Sequence, residues 1–178
     1  SQDRFNLKLE KYKADHLYVT GDRKSADSIY LKVLPVYRKE KDYTTLFEIF
    51  NRQGLFYYQT GKLLRGLEYS NEVQEFINQH INELQSREYQ IEIAALYRII
   101  GIIYAIQAES DDTFNQESST AYFKKAYKTI LPLNEPETEG LLLFNIGNIM
   151  QSQDSTIYYW NRALDVFENN NLSHKKGF

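Results

Sequence analysis

Apolar residues recur along this chain at the spacing of an α-helix rather than in the alternation of a strand, and few residues interrupt them: Gly occurs 8 times and Pro 3 times in 178 residues. Residues three and four apart share one face of a helix, whereas in a strand every second residue does. Tyrosine and phenylalanine, 15 and 10 in number, suit sheets as well as helices. Period therefore decides, and it predicts an all-α chain of long helices.

The helices come in pairs. In the first, Phe5, Leu9, Tyr12 and His16 lie on one stripe, Gly21 and the polar Asp22, Arg23 and Lys24 form a turn, and a return helix carries Ala26, Ile29, Tyr30, Val33 and Tyr37. Pro35 should bend or shorten its last turn, because proline lacks the amide hydrogen the helix needs. The pattern recurs, giving pairs over about 3–39, 43–79, 86–130 and 139–168 within a single domain spanning 1–178. Gly21 and Gly61 mark corresponding turns. An acidic loop, Glu109 to Asp112, enlarges the third pair, and a short turn at Gln153 and Asp154 closes the fourth. Asn169 to Asn171 end the last helix.

Charge and composition exclude several classes of function. A formal net charge of −3 gives no electrostatic reason for binding nucleic acid or an anionic membrane. The longest strongly apolar stretch, Ile99 to Ile106, is far shorter than the ~20 residues of a membrane span. With no cysteine there is neither a disulfide framework nor a thiolate metal site, so a reducing or an oxidising compartment suits the chain equally, and a cytoplasmic setting is slightly favoured over a periplasmic one. Ser1 stands where a methionine would begin a gene product, which gives the expectation that the chain is a piece of a longer protein.

The third pair contains Tyr97, Ile100, Gly101 and Tyr104, followed by Ser119, Phe123 and Ala126. The fourth repeats this string with Leu143, Ile146, Gly147 and Met150, then Thr156, Trp160 and Ala163. The second offers Phe50, Gln53, Gly54 and Tyr57, then Gly66 and Val73. These strings resemble the tetratricopeptide repeat, in which a small residue stands where two helices cross and large residues fill the space toward the next pair. Gly54, Gly101 and Gly147 are 47 and 46 residues apart, longer than the family's ~34. The spacing leaves longer helical repeats of the HEAT type as an alternative. The resemblance implies a right-handed superhelix of stacked antiparallel helix hairpins, serving as a peptide- or protein-binding module. Bacterial peptide-pheromone receptors, and the repeat-containing sensor regions of bacterial histidine kinases and regulators, use similar pairs behind an effector domain.

No constellation points to catalysis, a cofactor or a metal. His16, His80 and His174 fall in separate places without a second ligand at helical spacing. Gly54 to Lys62 lacks the spacing and the following Ser or Thr of a phosphate loop. The acids Glu109, Asp111, Asp112 and Glu117 lack the spacing of a calcium loop. Asn171, Leu172 and Ser173 spell a glycosylation acceptor, and read more simply as a helix stop followed by a new N-cap.

In the tetratricopeptide family, ligands touch first-helix residues opposite the packing string. Carried onto this chain, that implies a groove of Asn51, Leu55 and Tyr58, then Arg98 and Ile102, then Phe144, Asn148 and Gln151. The family's paired Lys and Asn clamp for an acidic C-terminus is incomplete here, so a co-chaperone role is not implied. Arg98 stands out: among Ala94, Ala95, Ile99 and Ile102, an unpaired charge is costly unless it meets water or an anionic ligand. A purely structural scaffold using convex or end surfaces is the alternative. The apolar residues Ile157, Trp160 and Leu164 give the further expectation of self-association through the C-terminal end.

Overall fold

The computed structural model describes residues 2–110 and 116–172, among which the chain forms eight α-helices, one 3-10 turn and no strand. They are α1 (Gln2–Thr20), α2 (Arg23–Glu40), α3 (Tyr43–Gln59), α4 (Leu63–His80), α5 (Arg87–Ser110), α6 (Gln116–Ile130), α7 (Pro136–Asn148) and α8 (Gln153–Asn169). The 3-10 turn Leu131–Leu133 joins α6 to α7. Each helix packs against its neighbours in the chain, and α3 also packs on α5, giving a stack of hairpins with α5 at its centre.

The first four helices are separated by turns of two or three residues of one design. Gly21, Lys41 and Gly61 take positive φ, and Asp22, Asp42 and Lys62 follow as N-caps. The left-handed residue lets the chain reverse while the next amide bonds back to the helix, as Asp42 does to the Tyr37 carbonyl and Lys62 to the Tyr57 carbonyl, both at 3.1 Å. The Asp22 and Asp42 carboxylates then accept from the backbone amides of Ser25 and Thr45, satisfying orphan donors of the new helix.

The main core cluster centres on Leu46, Phe47 and Phe50 of α3, Val73, Phe76 and Ile77 of α4, and Leu96, Ile99, Ile100 and Ile103 of α5, and a smaller one of Leu143, Ala163 and Phe167 joins α7 to α8. Burying each such side chain contributes about 1.5–3 kcal/mol. Glycines stand at the crossings. A Cβ on Gly101 would lie 2.9 Å from the Phe123 ring, one on Gly147 2.5 Å from Trp160, and one on Gly54 2.5 Å from the Tyr69 hydroxyl. The hydroxyl of Ser119 donates to the Gly101 carbonyl at 2.8 Å, fixing α6 on α5.

Several expectations are corrected. The stripe Phe5, Leu9, Tyr12 and His16 faces outward, while Leu7, Lys11, Ala14, Asp15 and Tyr18 face inward. The charged pair belongs inside because it meets opposite charges on α3. Helix α2 continues through Pro35 to Glu40. Gln153 and Asp154 open α8 rather than forming a turn, which lies at Ile149 to Ser152 instead. Asp111, Asp112, Ser173 and His174 lie outside the described residues. The stretch Arg87–Glu109 of α5 is long and apolar enough, by length and composition, to cross a membrane, with a mean hydropathy of 1.6; half of it is buried in the protein.

Candidate binding face

The first helices of the four pairs, α1, α3, α5 and α7, carry a row of side chains set by two polar staples. Between α1 and α3, Lys11 pairs with Asp15 at 2.8 Å and with Glu48, while Asp15 also takes Arg52 and the Tyr30 hydroxyl. Burial pulls the Lys11 pKa down, but its hydrogen bonds to Asp15 and Glu48 outweigh this and hold it above the usual lysine range. Arg52 stands over the Tyr18 ring and donates to the Tyr30 hydroxyl at 2.8 Å. Between α3 and α5, the Asn51 amide donates to the Glu92 carboxylate at 2.7 Å and to the Phe47 carbonyl at 3.0 Å.

Arg98 has no such partner. It projects from the middle of α5, half-buried, and among the described residues makes no ion pair or hydrogen bond. Burial lowers its pKa below the usual arginine value, and the nearby Tyr58 phenol opposes this only weakly. Leu55 and Ile102, one helical turn from Asn51 and Arg98, are partly buried against the core. The face thus presents one half-buried cation near a phenol, flanked by aliphatic side chains.

The eight residues expected to line a groove fall into three groups. Leu55, Tyr58, Arg98 and Ile102 occupy the α3–α5 face, where Asn51 is already committed to Glu92. Phe144 and Asn148 belong with α8: the Phe144 ring stacks on Trp160 at 6.1 Å, and the Trp160 indole donates to Asn148 at 3.0 Å. Gln151 lies beyond the end of α7 and donates to Gln116 at 3.4 Å, at the mouth of an open hollow of about 700 Å³ between α6 and the α7–α8 turn.

The Lys11, Asp15, Glu48 and Arg52 network was not anticipated. Its signal was a Lys-x3-Asp pair on α1 opposite a Glu-x3-Arg pair on α3, charges one helical turn apart in reversed order. Of the histidines, His16 is exposed, and His80 approaches Tyr43 and Glu83 at 3.2 and 3.4 Å. Among the described residues no three His, Cys, Asp or Glu side chains are grouped to hold a metal ion. Comparison of the chain with known family models, characterised proteins and solved structures finds no match.

Proposed function

We propose that this chain is a non-catalytic binding module, a tetratricopeptide-like right-handed superhelix whose α3–α5 face takes a peptide or protein segment through an anionic group at Arg98. The observation that carries the reading is the half-buried, unpartnered guanidinium. Desolvating a charge without compensation costs stability, so a site that keeps one is supported as a place where a ligand supplies the missing partner. A carboxylate matches the guanidinium fork with two parallel hydrogen bonds. Tyr58, Leu55 and Ile102 then contact the neighbouring side chains of the ligand. The sequence likeness to peptide-sensing repeat proteins supports a place in the sensory or regulatory part of a bacterial signalling protein or transcriptional regulator.

The test is selection from a random displayed peptide library, followed by binding of the selected sequences to wild type, Arg98→Ala and Gln151→Ala. Selected peptides should carry a carboxylate at one fixed position, should lose affinity in Arg98→Ala, and should bind Gln151→Ala as they bind wild type. Peptides that bind Arg98→Ala as tightly as wild type would refute the assignment. The scaffold reading has its own support in the apolar side chains exposed on α1 and α8.

A further inference from the structure

We propose that the two ends of the hairpin stack are complementary, and that helix α1 of one copy seats on helix α8 of a second copy, head to tail. The repeat register carries the inference. Counting from the crossing positions Ala14, Gly54, Gly101 and Gly147, the residue five places earlier is Leu9, Ile49, Leu96 and Leu142. The last three are fully buried, and Leu9 is 55% exposed. Two places after the crossing, Phe56 and Ile103 are buried, with Ile103 packed on Gly66 of the preceding α4; His16 holds that place on α1 and is exposed. Helix α1 thus carries the face by which first helices dock on the preceding pair, with Phe5 and Tyr12 beside it, also exposed.

Helix α8 carries the converse face. Tyr30, Ser70 and Phe123 hold one register position on α2, α4 and α6 and are 1%, 0% and 1% exposed, whereas Trp160 at the same position on α8 is 41% exposed. Leu34 of α2 is buried, and its counterpart Leu164 is exposed, as is Ile157 one turn before Trp160. Within the chain, the faces of this kind on α2 and α4 are covered by the first helix of the next pair, as when Arg52 of α3 reaches the Tyr30 hydroxyl and Ile103 of α5 packs on Gly66.

Charge favours the same pairing over the alternatives. Exposed charges on α1 are Arg4, Lys8 and Lys13 against Asp3 and Glu10, a basic surplus; on α8 they are Asp154, Asp165 and Glu168, an acidic face with Arg162 partly covered. Association of α8 with α8 would oppose like charges, whereas α1 brings Lys8 and Lys13 to meet the α8 carboxylates. Head-to-tail contact uses different surfaces on the two partners, so a pair keeps one free face at each end and chains can lengthen.

Sedimentation velocity over a concentration series, with two blocked variants, tests this. Leu9→Asp/Tyr12→Asp blocks α1, and Ile157→Asp/Leu164→Asp blocks α8; all four side chains are exposed, and circular dichroism checks that helix content is kept. Wild type should shift to larger species with rising concentration, each variant alone should stay monomeric, and their equimolar mixture should form one-to-one dimers and nothing larger. A wild type that remains monomeric at every concentration, either variant associating alone, or a mixture without dimer would overturn the proposal.

Discussion

Replacing Gly101 probes one of the close contacts between a first and a second helix. A methyl group there would meet Cδ1 and Cε1 of Phe123 at 2.9 Å and Cζ at 3.1 Å. The ring is 1% exposed and hemmed in by the core, so it cannot swing away, and α6 must shift instead. Overpacking of this kind costs about 1–3 kcal/mol. Alanine also gains about 1 kcal/mol over glycine in a helix interior. Gly101→Ala should therefore be destabilised by a net ~0–2 kcal/mol, and Gly101→Leu by ~3 kcal/mol or more, since its added atoms point into the same ring. Urea denaturation followed by circular dichroism gives both values. Phe123→Leu alone loses the ring's packing, but in the double variant Gly101→Ala/Phe123→Leu the clash is relieved, and the pair should couple favourably by ~1 kcal/mol or more. Gly101→Ala as stable as wild type, with no coupling to Phe123, would refute the crossing geometry.

Arg98→Met should leave the fold as stable as wild type or raise its stability by up to ~1 kcal/mol, because an unpaired, partly buried charge is removed and its aliphatic stem kept; a lower melting temperature would argue that Arg98 has a structural partner. Asp15→Ala should destabilise by about 1–3 kcal/mol, since Lys11, Arg52 and the Tyr30 hydroxyl all lose an acceptor; an unchanged urea midpoint would contradict the network. Glu83 is held down to about 2 by hydrogen bonds from Tyr43 and then Lys41, so the folded state favours its charged form. Its contribution is complete above the ordinary value of 4.5 and fades as pH falls toward 2. The difference in melting temperature between wild type and Glu83→Gln should shrink over that window, and a pH-independent difference would contradict the bonding.

Helical period made the pairs legible, and the crossing glycines were legible because a missing side chain at a fixed place in an apolar string has a steric cause. The inward face of α1 was not. Phe5, Leu9 and Tyr12 read as core by hydrophobicity, yet Lys11 and Asp15 point inward because Glu48 and Arg52, some 37 residues away in sequence, neutralise them. A pattern within one helix cannot register a partner on another. The end of α7 was missed for a local reason: no glycine or proline follows Gly147 to mark the stop, so the string read on through Met150 and carried Gln151 onto a face it does not share. Arg98 was legible because a charge among aliphatic neighbours stands out, whereas Asn51, equally polar, is committed to Glu92 across a gap of 41 residues.

Isothermal titration of a selected carboxylate peptide against wild type and Arg98→Met tests the central claim most directly. Losing a hydrogen-bonded charge partner worth about 1.5–3 kcal/mol should weaken binding by roughly 10- to 150-fold while the melting temperature is kept or raised. Affinity unchanged within a factor of about two, with the fold intact, would contradict it.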